Sequence, residues 1–159
     1  MLLNGEKIEG PNVEVLVLPR GNNRPDVVFH FQAIIDNSPF EKMCPMPQPP
    51  VRIMKGGKKD PNFEDAGYKS EVALYHEKRI AWIVLESLKA TPGLAWETVK
   101  ADDHTTWIGY EKELKESGFS YIEVQRIQNS AFSANSLNES LVEEARKSFL
   151  LGLEAPSKA

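Results

Sequence analysis

Residues 103–152 read DHTTWIGYEKELKESGFSYIEVQRIQNSAFSANSLNESLVEEARKSFLLG. Three helices can be read there with their start and stop signals. The first is expected over Thr105–Ser117, where Trp107, Ile108, Tyr110 and Leu114 recur at helical spacing and Gly118 follows as a stop. The second is expected to start at Ser120, with Glu123 completing a capping box and Ile122, Val124, Ile127, Ala131 and Phe132 as its apolar positions. The third is expected from about Asn138. Leu137 and Val142 are placed for a hydrophobic staple, and Leu141, Val142, Ala145, Phe149 and Leu150 form a stripe predicted to be buried. Gly152 is expected to end that helix. No helix can bury its stripe alone, so the three are predicted to pack on one another and on a fourth upstream.

That fourth helix is the longest, expected from about Asp65 to Lys89. Tyr68, Val72, Tyr75, Arg79, Trp82 or Ile83, Leu85 and Leu88 follow the three-four rhythm, and Thr91-Pro92-Gly93 stops it. Leu94–Val99 reads as a short extended link, with Trp96 covering the helical core.

Working back to the N-terminus, the signal changes to strands. Asn4-Gly5 between Leu2-Leu3 and Lys7-Ile8 favours a tight hairpin. NVEVLVL (12–18) alternates and reads as a strand buried on much of both faces; VVFHFQAII (27–35) reads as its antiparallel partner. The Pro-, Gly- and Asn-rich residues 19–26 make a mobile tip. Ser38-Pro39 starts a short helix. MPQPP (46–50) is extended, and Val51–Met54 is a candidate third strand. Lys55–Asp65 reads as a flexible loop and the boundary between two halves.

A chain of 159 residues, 41% apolar and 26% charged, suits one soluble domain or one domain with an appendage. The net charge of −4 argues against a nucleic-acid partner. The first residues lack a basic segment followed by an apolar run, so no signal peptide is expected. No apolar stretch approaches the ~20 residues of a membrane span. The expected location is the cytoplasm. The single Cys44 excludes an internal disulfide and a cysteine-built zinc site.

Candidate chemistry is sparse. His30, His76 and His104 fall in a strand, a helix and a loop, without zinc spacing. Cys44 lies near the end of a short helix, where the dipole disfavours a thiolate. Glu111, Glu113 and Glu116, with Lys112 and Lys115, read as a solvated helix face. Lys55, Lys58 and Lys59 beside Gly56-Gly57 lack the full phosphate-loop spacing and the helix that should follow. No catalytic, cofactor-binding or metal-ligating residue is assigned, and no cofactor. The aromatic side chains of the helical half suggest a groove for a partner's helix, with Tyr68, Tyr75, Trp82 and Trp96 as its expected partner-binding residues.

Two runs, HTTWIGYEKELKESGFSYIEVQRI (104–127) and NSLNESLVEEARKSFLLG (135–152), resemble the C-terminal half of the tail assembly chaperones of long-tailed phages. The likeness lies in a Thr-Trp opening, a Glu-Leu pair, a Gly-Phe-Ser joint and a closing Asn-x-Leu to Phe-Leu helix. It covers roughly residues 68–152 and is a pattern of helices and joints. It implies a small, non-enzymatic protein of the host cytoplasm, absent from the finished virion, that binds the tape measure protein. It also implies an extended product made by ribosomal frameshifting. The strand-rich residues 1–60 depart from the family's all-helical pattern.

The expected architecture is therefore α+β: an N-terminal antiparallel β-hairpin region (1–60), a bundle of about four helices (61–152) and a loose tail (153–159). The expected function is tail assembly through protein binding, with self-association through the free edges of the ribbon at 12–35. The alternatives are a virion structural protein of the tail or neck, and a small interaction domain with another partner. A small enzyme or nucleotide binder is the reading from a third class, and no clustered titratable set supports it.

Overall fold

The computed structural model describes residues 1–154. Asn4 and Gly5 take φ of 53° and 83°, the turn geometry that Asn-Gly favours. They join β1 (Leu2–Leu3) to β2 (Glu6–Lys7). A second antiparallel hairpin pairs β3 (Val13–Leu18) with β4 (Val27–Gln32), setting Val13 opposite Gln32 and Leu18 opposite Val27. Alternation then divides the ribbon. Leu18, Phe29 and Phe31 are buried, whereas Val13, Val15, Val17 and Val28 are exposed on the outer side. The expectation of burial on both faces is thereby corrected, because a single layer of helices covers only the inner side.

The remaining elements are α1 (Ser38–Met43), β5 (Val51–Ile53), β6 (Lys59–Pro61), α2 (Ala66–Leu88), a 3₁₀ turn (Trp107–Gly109), α3 (Tyr110–Glu116), α4 (Tyr121–Ala134) and α5 (Glu139–Glu154). The fold is α+β, with hairpins first and helices after. Strand β6 falls inside the segment expected to be loop. Gly56 and Gly57, at φ 89° and 77°, turn the chain back so that β6 pairs with β5, and Arg52 meets Asp60 at 2.9 Å. The first expected helix is also shorter than its pattern. Residues 103–106 form turns held by the Asp103 carboxylate, which accepts the Thr105 N–H at 3.0 Å, so regular helix begins only at Tyr110.

The two helices with the clearest signals form as read. The side chain of Asp65 caps α2 by accepting the Tyr68 N–H at 2.8 Å. In α4 the capping box is complete: Ser120 Oγ accepts the Glu123 N–H at 3.3 Å, and Glu123 Oε2 accepts the Ser120 N–H at 2.8 Å.

One core draws on both sides of position 60, so that position separates no second core. Leu18, Phe29, Phe31 and Phe40 join Trp82, Leu88, Trp107, Leu114 and Ile127 in a single buried cluster. Burying each such side chain stabilises the fold by about 1.5–3 kcal/mol. Phe40 is central, with its ring 5.4 Å from Tyr75, 5.5 Å from Trp82 and 6.1 Å from Trp107.

The ribbon is tied to the helical part at one point on each strand. Thr91 Oγ1 accepts the His30 N–H and donates to the His30 carbonyl, both at 2.9 Å. On the other side, Asn12 Nδ2 donates to the Ala134 carbonyl at 3.0 Å. Thr91 thus occupies the outer edge of β4 at His30. The tip at 19–26 is tied down as well: Arg20 pairs with Glu123 and lies 4.8 Å over the Phe119 ring.

Helix α4 ends in a Schellman turn. Ser136 adopts φ 56°, its N–H donates to the Ser133 carbonyl at 3.0 Å, and the Leu137 N–H reaches the Phe132 carbonyl at 2.9 Å. Helix α5 follows, but its stripe is not buried. Leu141, Val142, Phe149 and Leu150 are all exposed, Phe149 by 66%. Gly152 does not stop the helix, because it lacks a left-handed φ there. Of the expected loose tail, residues 153–154 are helical and residues 155–159 lie outside the described residues. Among the described residues no helix is long and apolar enough to cross a membrane.

Candidate functional site

The four aromatic residues expected to bind a partner do not meet in a groove. Tyr75 and Trp82 are buried, 8% and 4% exposed, with Phe40 of α1 lying over both. Tyr68 is half-buried beside the Phe63 ring, 6.1 Å away. Trp96 is half-buried in the link before α3, packed against the core. The seven-residue spacing does place Tyr68, Tyr75 and Trp82 along one flank of α2. Phe40 and the core cover that flank at Tyr75 and Trp82.

A groove does open, between other residues. An open cleft of about 960 Å³ runs between α2, α3 and α4. Its apolar floor includes Ile80 and Ala81 of α2, Ile108 of the 3₁₀ turn and Phe132 of α4. Ile80 and Ile108 are 44% and 43% exposed, so their side chains face the cleft and solvent, not the core. A second depression, lined by His76, Arg79, Ile83 and Leu137, shares Ile80 and Phe132 with the first and continues it toward the start of α5.

The rim is charged. Glu77 stands on α2; Glu111 pairs with Lys115 at 3.5 Å and Lys112 with Glu116 at 3.7 Å along α3. Gln128 Nε2 donates to the Tyr110 hydroxyl at 2.5 Å and to Glu111 at 2.8 Å, tying α4 to α3 at the wall. Burial pushes the Tyr110 hydroxyl up to about 12, so it stays neutral in the physiological range.

Glu113 fixes the opposite side of α3. Its carboxylate accepts the Glu97 N–H at 2.6 Å, the Thr98 N–H at 2.9 Å, the Val99 N–H at 3.2 Å and the Thr98 hydroxyl. Burial works to raise its pKa, but these hydrogen bonds outweigh it and hold the carboxyl below the usual 4.5. The solvated-face reading of Glu113 is corrected: it clamps the Trp96–Val99 link onto α3 and so positions that wall of the groove.

The other singled-out residues are dispersed. His30 lies in β4, His76 on the exposed face of α2, and His104 stacks edge-on to Trp107 at 6.1 Å with Lys78 Nζ 3.0 Å from its Nδ1. Cys44 is buried at the end of α1. Gly56 and Gly57, beside Lys55 and Lys58, form the β5–β6 turn, which opens no helix. Among the described residues no three His, Cys, Asp or Glu side chains gather to hold a metal.

Sequence reasoning missed Ile80, Ile108 and Phe132 as a set. The available signal was apolar residues falling off the buried stripe. Ile80 lies two positions before Trp82, and Ile108 directly follows buried Trp107. No protein family, curated protein or solved structure matches the chain.

Proposed function

We propose that this chain is a non-enzymatic binding protein that holds an apolar helix of a client in the α2–α3–α4 groove. The observation carrying this reading is the floor where exposed Ile80 and Ile108 meet half-buried Phe132 between charged walls. An amphipathic helix lays its apolar face into such a floor and leaves its polar face to the rim. The resemblance of residues 68–152 to phage tail assembly chaperones makes the tape measure protein the proposed client, bound in the host cytoplasm before the tail is built.

The experiment is co-expression with a tape measure protein, followed by pull-down and by mass spectrometry of purified virions. Capture in the pull-down with absence from the virion is the expected result. Ile108→Glu, which puts a charge on the groove floor, should abolish capture while leaving the circular dichroism unchanged.

A second reading is supported by the outer face of the ribbon. Val13, Val15, Val17 and Val28 form an exposed apolar patch on the outer face of the two-stranded ribbon, as suits a subunit contact in a tail or neck. Stoichiometric recovery of the chain from mature virions would favour it over the chaperone.

A further inference from the structure

We propose that Asn4 is a site of spontaneous deamidation, at which the chain modifies itself and opens the β1–β2 hairpin. Asn4 is the one asparagine followed by glycine. Glycine has no side chain, so its main-chain nitrogen can approach a neighbouring carbonyl carbon closely. Both residues are exposed, and nothing lies within 4 Å of where a Cβ on Gly5 would point. Leu3 pairs with Glu6, so Asn4 and Gly5 are the two unpaired residues of the turn. The Gly5 N–H is therefore outside the ladder and free to lose its proton to hydroxide. At φ 53° Asn4 is held in the turn, and ring closure starts when the turn loosens. Two residue pairs hold the hairpin, Leu2 with Lys7 and Leu3 with Glu6. A two-stranded hairpin of that size is marginal in water.

The reaction consumes water alone. The Gly5 nitrogen, having given up its proton, attacks Asn4 Cγ. The N–Cγ bond forms, the Cγ–Nδ2 bond breaks, and ammonia leaves with a proton. Water then opens the five-membered imide at either carbonyl. One opening leaves aspartate. The other leaves the main chain running through Cγ, one methylene longer. Both products place a new carboxylate near Glu6, and the longer one no longer fits a two-residue turn.

The fold shields the next candidates. Asn37, Asn129 and Asn135 each precede serine, another small residue. Asn37 Nδ2 donates to Glu41 at 3.0 Å where α1 begins. Asn129 lies inside α4, where the Ser130 N–H is committed to the helix. The Asn135 side chain is held by Ile34, Ser87 and Ala131.

The test is to hold the full chain at neutral and at mildly alkaline pH, cut it with trypsin and weigh the fragments. Fragment 1–7 should gain one dalton, split into aspartyl and isoaspartyl forms, and do so faster in proportion to hydroxide. Fragments 21–42 and 127–146, which carry Asn37, Asn129 and Asn135, should keep their masses over the same time. Gly5→Ala should slow the gain several-fold, and Asn4→Gln should abolish it. The modified chain should lose the Leu3–Glu6 contact in nuclear Overhauser spectra. It should keep its urea midpoint, because residues 1–10 are exposed and lie outside the core. A fragment 1–7 of constant mass, or a gain no faster than in 127–146, overturns the site. A Leu3–Glu6 contact that survives in the modified chain overturns the opening.

Discussion

Helices α4 and α5 are consecutive, nearly equal in length and both amphipathic, yet one is embedded and the other is bare. In α4, Val124, Ile127, Ala131 and Ala134 are buried. From Glu139 to Gly152, every residue but Glu143 is exposed. The difference is in the neighbours. The ribbon docks along α4 through Asn12 and Ala134, α2 packs beside it, and Arg20 reaches its capping Glu123. Helix α5 has a comparable pattern, but among the described residues no other element packs closely along it. An apolar stripe states which side of a helix avoids water; it does not state what will cover that side.

The widest test of this contrast compares Trp107→Ala with Phe149→Ala. Both aromatics anchor their segments, but Trp107 is 1% exposed and Phe149 is 66% exposed. Urea denaturation of dilute protein should show a loss of about 3–5 kcal/mol for Trp107→Ala and within about 0.5 kcal/mol of no change for Phe149→Ala. Equal losses would mean that α5 is packed in solution.

Next in size is Asn135, which closes α4 and joins three elements. Its Nδ2 donates to Ser87 Oγ at 2.8 Å and to the Ala131 carbonyl at 2.7 Å, and its Oδ1 accepts the Ile34 N–H at 2.8 Å. Asn135→Ala strands the fully buried Ser87 hydroxyl and should cost about 2–3 kcal/mol in the same measurement. A loss under about 0.5 kcal/mol would show that water replaces these bonds.

Glu113 gives a smaller, pH-dependent effect on the groove wall. Its folded pKa lies below the usual 4.5, so the folded state favours the carboxylate. The resulting stability is present above the unfolded pKa and disappears as pH falls through the folded one. Glu113→Gln should therefore lower the denaturation midpoint at pH 7, and the gap from wild type should close as pH falls below the usual 4.5 and through the folded pKa. A gap independent of pH would assign the loss to geometry alone.

The smallest effect concerns the joint between the compared helices. Ser136 takes φ 56° without being glycine, a conformation that strains an L-residue. Ser136→Gly should raise stability by about 0.5 kcal/mol, the relieved strain being partly offset by the freer unfolded chain. A fall in stability would imply that the serine side chain takes part in the turn.

The elements of this protein were legible in its sequence wherever their causes are local. Asn4-Gly5 specified a turn, Asp65 and Ser120 specified helix starts, and the alternation of residues 13–18 and 27–32 specified a ribbon. Each signal acts within a few residues and so survives in a linear reading. The groove was not legible. Nor were the burial of Tyr75 and Trp82 under Phe40, the clamp at Glu113 or the exposure of α5. Those depend on contacts such as Thr91 with His30, 61 residues apart, and Asn12 with Ala134, 122 residues apart. Periodicity selects the apolar side of each element. Which of those sides meet, and which remain open to a partner, follows only when distant segments compete for the same limited cover.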